Sequence, residues 1–321
     1  MPISVRQRPL GASGLHLTTI GLGTWAMGGG DWKFGWGAQD DAESVRAIQA
    51  GLDAGINWLD TAAIYGHGHS EALVGQAIAG RRDDVIVATK CGRVWEGDSR
   101  EIGKSLRRDS VLAECDASLR RLKIDAIDLY QIHWPEPDEQ VEEGWAAIGE
   151  LIDAGKVRHA GVCNFSLAQL QRAQAIRPIA SLQPPYSMLR REIEAEILPW
   201  CAAHGVGVVA YSPMQAGLLT GTFTRERAAA LGPDDWRSRH PFFQEPQLSK
   251  NLRLVDGLRP IAARLGISVA QLVLAWTLRD PAVTSAIAGA RSPKQIQETV
   301  AAGNVDLPAD AIAEIEQLLQ A

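Results

Sequence analysis

A chain of 321 residues with 46% hydrophobic content has ample material for a core, as one large domain or two ordinary ones. Its formal net charge of −6 argues against the basic footprint of a nucleic-acid binder. No apolar run reaches bilayer length, the opening Met1-Pro2-Ile3-Ser4-Val5-Arg6 lacks a secretory apolar stretch, and the four cysteines fall into no CxxC or framework spacing.

The expectation from these bounds is a cytoplasmic protein with reduced thiols and no membrane or nucleic-acid partner. In chain order, Gly11 and Gly14 punctuate residues 6–17 as a β-hairpin. Strand and helix signals then alternate to the end. Strands are predicted at 18–23, 56–60, 85–90, 127–133, 158–163, 180–183, 206–211 and 284–289. Helices are predicted at 41–54, 70–79, 109–122, 139–154, 167–176, 191–204, 249–280, 293–303 and 308–320. Pure apolar runs such as Val85-Ile86-Val87-Ala88 suit strands covered on both faces. Capping-box spacing marks helix starts at Ser166/Gln169, Ser268/Gln271 and Ser292/Gln295.

Eight strands, each followed by a helix and with no linker between them, predict one α/β domain over residues 1–321. The architecture is a (β/α)8 TIM barrel with the N-terminal β-hairpin plugging its bottom and extra C-terminal helices. A doubly wound open sheet is the alternative. Residues 212–248, rich in Gly, Pro and Arg, form the one long irregular stretch and read as a functional lid or a disordered loop.

The first polar or glycine residue after each strand run is Gly23, Asp60, Lys90, His133, Asn164, Gln183, Tyr211 and Gly289. In a barrel all eight face one rim, where such enzymes build their sites. Asp60, Lys90 and His133 come from three consecutive strands, and Tyr65 follows Asp60 by one turn. A free phenol, with a pKa of about 10, is too weak an acid to donate a proton at neutral pH. A nearby ammonium lowers that value, and a carboxylate behind it keeps the ammonium charged. Tyr65 therefore reads as general acid, Lys90 as its activator, Asp60 as the anchor of Lys90, and His133 as a donor orienting an oxygen. Each residue alone has an ordinary explanation as ion pair, packing or cap. Their joint appearance suits a carbonyl that receives a hydride.

Asp60-Thr61-Ala62-Ala63-Ile64-Tyr65-Gly66, with Ser70-Glu71 soon after, resembles the signature of the aldo-keto reductases. Thr89-Lys90, Leu129-Tyr130-Gln131-Ile132-His133, Gly161-Val162-Cys163-Asn164-Phe165, Gln183 with Tyr186, and Tyr211-Ser212-Pro213 are similar to further landmarks of that family, in the same order from about residue 7 to 300. The resemblance implies a barrel that binds NADPH without a Rossmann domain and reduces aldehydes and ketones. It places Asn164 and Gln183 on the nicotinamide carboxamide and Tyr211 on the ring. Gly23, Thr24, Trp25 and Asp60 lie beside the cofactor in this reading, with Ser212, Pro213, Gly217 and Leu219 further along it.

The residues test the cofactor expectation separately. Gly289-Ala290-Arg291-Ser292-Pro293-Lys294-Gln295 combines a strand-end glycine, a basic residue and a helix start with Pro at its first position. Such helix starts bind phosphate, and Arg291 can fork onto a phosphate monoester, which favours NADPH over NADH. The resemblance adds Gln295 and Glu298 at the adenosine end, while Thr299 stands where relatives carry Asn. Gln295 is equally the capping-box partner of Ser292. Gly21-Leu22-Gly23-Thr24-Trp25-Ala26 fits the G-x-G-x-x-G/A fingerprint, but no helix opens there, so it is set aside. His67-Gly68-His69 lacks a completing ligand set, and no metal is expected.

Trp25, Trp32, Trp36, Trp95 and Trp134 fall on strand-to-helix loops and, with Tyr65 and His133, are read as the substrate pocket. Trp236 and Phe242-Phe243 are read as closing over cofactor. The leading function is an NADPH-dependent reductase of small carbonyl compounds. The alternatives are a nucleotide-sensing subunit, since the resemblance extends to potassium-channel β subunits, the reverse alcohol or sugar dehydrogenase, and a barrel isomerase or aldolase using Lys90 as a Schiff base. Asp60 beside Lys90 keeps the amine protonated, which weakens the last.

Overall fold

The computed structural model describes residues 5–30, 32–97, 99 and 101–320. Met1–Ser4, part of the opening segment read for a leader, lie outside the described residues. The hairpin is β1 (Gln7–Pro9) with β2 (His16–Thr18). There follow β3 (Ile20–Gly23), β4 (Trp58–Asp60), β5 (Ile86–Cys91), the short antiparallel ribbon β6 (Arg93–Val94) and β7 (Gly103–Lys104), β8 (Ile127–Ile132), β9 (Val157–Cys163), β10 (Ser181–Gln183), β11 (Gly207–Ala210) and β12 (Val283–Gly289). The eight strands β3, β4, β5, β8, β9, β10, β11 and β12 pair in that order, all parallel, and β12 closes back onto β3. This is the predicted (β/α)8 barrel, and the open sheet is excluded.

The helices are α1 (Asp41–Asp53), α2 (His69–Ala77), α3 (Arg108–Leu122), α4 (Val141–Asp153), α5 (Leu167–Ile176), α6 (Ile197–Ala203), α7 (Arg225–Ala229), α8 (Gln247–Arg264), α9 (Val269–Thr277), α10 (Pro293–Val300) and α11 (Ala309–Gln320). Three boundaries differ from expectation. The helix expected over 191–204 begins only at Ile197, because a start at Arg191 would put Pro199 in the helix interior, where it cannot donate to a carbonyl four residues back. The helix expected over 249–280 is two helices crossing at 94°, broken at Gly266, whose φ is +68°. Ser268 then starts α9 with a complete capping box, as Ser166 does for α5. Ser292 forms no such box at α10. Gln295 Oε1 instead accepts the Arg291 N–H at 2.7 Å.

Two layers of packing hold the site. Between the barrel wall and the helices lies the large apolar core. Inside the barrel, Trp58, Ala88, Leu129, Val209 and Ile287 meet Leu10 and Leu17 of the hairpin. The hairpin therefore seals the N-terminal ends of the strands. Ala12 N–H donates to the Gly205 carbonyl at 2.7 Å, and a Cβ on Gly11 would sit 2.1 Å from that oxygen. Trp58 fills the barrel floor, its indole N–H shared by the Thr18 carbonyl and Ser285 Oγ at 3.1 Å each. A Cβ on Gly21 would lie 2.1 Å from its ring.

Residues 212–248 are ordered by a small core of their own, in which Phe243 packs with Leu218, Phe223 and Leu248. No single helix among the described residues is long and apolar enough to cross a membrane.

Candidate active site

The rim at the C-terminal ends of the strands opens into a cleft of about 560 Å³. Seven of the eight predicted strand-end residues line it: Gly23, Asp60, His133, Asn164, Gln183, Tyr211 and Gly289. The eighth, Lys90, is 1% exposed and lies beneath.

Lys90 gathers the site. Its Nζ donates to Asp60 Oδ2 and to the Thr61 carbonyl, each at 2.8 Å, and reaches the Tyr65 hydroxyl at 3.5 Å. The Tyr65 and His133 rings meet edge to face with centroids 5.9 Å apart. Asp60 Oδ1 accepts from Gln183 Nε2 at 2.8 Å, so both oxygens of the buried carboxylate are satisfied. The four residues proposed from sequence thus converge.

Their protonation follows from burial and neighbours. Burial opposes the charge on Lys90, but Asp60, Tyr65 and Cys163 together outweigh this and hold the ammonium above the ordinary lysine range. Burial, then the positive Lys90 and Arg93, hold His133 well below the ordinary imidazole range, so the ring is neutral at pH 7. Tyr65 corrects an expectation. Burial pushes its pKa up to about 12, and Lys90 pulls it down only in part. In the free protein the ammonium moderates the phenol without making it more acidic than free tyrosine.

Around this centre, Asn164 Nδ2 donates to the His133 carbonyl at 3.0 Å, and the Tyr211 hydroxyl donates to Asn164 Oδ1 at 2.9 Å. Asn164 and Ser212 have φ of +62° and +53°, left-handed backbone that costs a non-glycine residue energy and here occurs at the rim.

Trp25, Ser212, Pro213, Gly217, Arg291, Gln295 and Glu298 also line the cleft, as expected from sequence. Thr24 and Leu219 do not. Thr24 is fully buried behind the wall, its Oγ1 accepting from Ser70 Oγ at 2.7 Å, and Leu219 points into the main core. Trp32, Trp36 and Trp134 line the cleft. Trp95 does not, because it packs behind it against the His67 ring at 5.3 Å. Trp236 lines the cleft, stacked on Trp25 at 5.1 Å, whereas Phe242 and Phe243 serve the inner packing of their own loop.

The far end of the cleft is basic. Arg227, Arg237 and Arg291 all line it, and Arg237 and Arg227 are close enough to add to the burial that lowers the Arg291 pKa. Arg291 also holds the β3–α1 loop, donating to Gln39 Oε1 and to the carbonyls of Trp36 and Ala38. The Thr299 hydroxyl is spent on the Gln295 and Ile296 carbonyls at 3.2 Å each. Two loops meet above the cleft, where Trp36 bridges Asp235, Trp236 N–H donates to the Gly35 carbonyl at 3.2 Å, and Arg237 lies 4.7 Å over the Trp36 ring.

Sequence reasoning missed Arg93, Phe34, Ile102, Arg227 and Arg237 as lining residues. For Arg93 the signal was its place three residues beyond Lys90 on one strand-to-helix loop. The rest stand in long loops without a strand end to mark them. Among the described residues no three His, Cys, Asp or Glu side chains are grouped to hold a metal ion. His69 pairs with Asp41 at 2.8 Å.

Comparison with known proteins shows one family, and relatives 32% identical over 98% of this chain are named as probable voltage-gated potassium channel β subunits of Arabidopsis thaliana and Oryza sativa subsp. japonica. The aldo/keto reductase family model matches residues 19–320. An aldo-keto reductase of Bacillus subtilis is 40% identical over 288 residues, covering 89% of this chain and 85% of that protein. An NADH-specific methylglyoxal reductase of Escherichia coli is 37% identical, covering 94% and 95%. The solved structure of a glycerol dehydrogenase from Gluconobacter oxydans superposes with a TM-score of 0.88 at 37% identity, covering 98% of this chain and 94% of that one.

Proposed function

Because the chain belongs to the aldo/keto reductase family, we propose that it is an NADPH-dependent oxidoreductase that reduces an aldehyde or ketone to an alcohol, with Tyr65 as general acid. The observation that carries this reading is Lys90 Nζ, which touches Asp60 and Tyr65 together beneath a cleft that His133 also lines.

The cleft's own residues fit a nicotinamide dinucleotide. Tyr211, Asn164 and Gln183 stand beside the tetrad, and three arginines with the start of α10 stand at the far end, where phosphates are to be held. When bound, the cofactor supplies the hydride. The protein's part is the proton. Tyr65, protonated at neutral pH, donates from its hydroxyl to the alkoxide oxygen, which is a far stronger base than phenolate. Lys90 stabilises the phenolate left behind, and Asp60 keeps Lys90 charged and fixed. Neutral His133 donates a hydrogen bond to the same oxygen and orients it. Trp25, Trp32 and Trp36 exclude water from the reacting face.

The choice of NADPH rests on the excess of guanidinium charge at the far end. The Escherichia coli relative, named for NADH specificity, makes NADH the competing possibility, and the dehydrogenase relative makes alcohol oxidation the competing direction. In this reading the partners are small carbonyl compounds.

The test is to follow NADPH and NADH absorbance against a panel of aldehydes and ketones. Tyr65→Phe should lower kcat by roughly 10²- to 10⁴-fold while cofactor affinity changes little. A variant that keeps wild-type kcat removes Tyr65 from the mechanism.

A further inference from the structure

The end of the cleft beside Tyr65 and His133 is walled by aromatic rings, yet it holds a guanidinium with an unpartnered nitrogen. Arg93 opens β6, three residues beyond Lys90. Its Nη2 donates to Glu136 Oε2 at 2.8 Å, and the guanidinium lies 5.6 Å over the Trp134 ring. Glu114 Oε2 accepts the Gly92 N–H at 2.9 Å, which fixes the backbone that carries it. The side chain is 13% exposed. Its Nη1 is shut off from solvent and has no partner among the described residues. Arg93 lines the cleft beside His133 and Trp134. Buried donors without acceptors are rare and costly, and a ligand that brings an acceptor to the Arg93 guanidinium accounts for this one.

The charge points the same way. Glu136 Oε2 also accepts from Lys104 Nζ at 2.8 Å, so Arg93 and Lys104 share one carboxylate and the cluster keeps a positive charge. Asp60 is matched by Lys90, and His133 is neutral. The remaining carboxylate among the described lining residues is Glu298, on α10 at the opposite end. Among the described lining residues no further carboxylate faces Arg93.

Taking the reductase reading as its premise, we propose that Arg93 makes the cleft selective for aldehydes whose chain carries a carboxylate. The carboxylate accepts from the Arg93 guanidinium, while the carbonyl oxygen is held by Tyr65 and His133. A hydroxyl in the same place fills the hydrogen bond but leaves the charge unmatched. An alkyl end leaves both unmatched, and sites built around buried polar groups reject such analogues strongly.

The experiment uses the full chain with NADPH and three aldehydes of equal chain length: butanal, 4-hydroxybutanal and 4-oxobutanoate. Wild type should rank 4-oxobutanoate above 4-hydroxybutanal above butanal in kcat/KM. Arg93→Met should lower the ratio of 4-oxobutanoate to butanal at least 10-fold, mainly through KM, and Arg93→Lys should restore part of it. A wild-type ratio at or below one, or a ratio that Arg93→Met leaves unmoved, overturns the proposal. A second measurement needs no variant: butanoate should inhibit wild type competitively at least 10-fold more tightly than butanamide, and equal inhibition also overturns it. Turnover of butanal with either negative result defeats the Arg93 assignment alone. Wild type that oxidises neither NADPH nor NADH with any aldehyde defeats the reductase reading and this inference with it.

Discussion

Gln183 Nε2 donates to Asp60 Oδ1 at 2.8 Å, on the oxygen that Lys90 does not take. One residue expected only to hold cofactor thus also completes the hydrogen bonding of the carboxylate that fixes Lys90. Gln183→Leu leaves that oxygen buried and unpaired, at a cost of roughly 1–3 kcal/mol. Thermal melting should show the loss without any cofactor present. An unchanged melting temperature would mean the bond contributes nothing.

The pH dependence follows from Tyr65. With its pKa pushed up to about 12, the free enzyme keeps the phenol protonated from pH 6 to 9. Reduction, which uses the protonated form, should show a flat kcat/KM over that range. Alcohol oxidation, which uses the phenolate, should rise with pH by up to about tenfold per unit. His133 adds no inflection, because it is already neutral there. A bell centred near pH 7 in the reductive direction would contradict this assignment.

Glu114 makes stability itself pH dependent. Burial raises its pKa to about 7 despite the hydrogen bonds from Gly92 and Ser110. A carboxyl whose folded pKa lies above its unfolded value holds its proton more tightly in the fold, so stability falls as pH rises between the two values. Melting temperatures should decline from pH 5 to 7 and then level. Glu114→Gln should flatten that decline.

Arg291 has a double attachment, to the phosphate end of the cleft and to the loop bearing Trp36. Arg291→Met should weaken NADPH binding roughly 10- to 100-fold, the worth of a charge-assisted contact, and NADH binding much less. Equal loss for both would assign Arg291 to the loop alone.

Gly21→Ala places a Cβ 2.1 Å from a Trp58 ring that two hydrogen bonds hold in position. Overpacking of this kind costs about 1–3 kcal/mol. Chemical denaturation should show the loss, with kcat nearly unchanged.

The barrel and the tetrad were legible because both depend on local pattern. Apolar runs ending in a polar residue mark strand and rim at once, so Asp60, Lys90, His133 and Gln183 could be read directly. The electrostatic balance at Tyr65 was not legible, since the depth of burial is set by Trp25 and Trp32 from another loop. Thr24 and Leu219 show the same limit: sequence position puts a residue beside a site without saying which way its side chain turns. The split between α8 and α9 was legible in Gly266 and in the capping-box spacing at Ser268, which marks a helix start inside the stretch read as 249–280. The place of Arg93, three residues beyond Lys90, was legible, but its unpartnered nitrogen was not.

The hairpin at the foot of the barrel has a kinetic consequence. With the floor stopped by Leu10, Leu17 and Trp58, the interior has one doorway, at the rim. Two molecules that must lie against each other inside such a dead end enter in turn, the deeper-seated first, and leave in the reverse sequence. Steady-state kinetics of this chain should therefore carry the signature of a compulsory order, set by a plug that touches neither reactant.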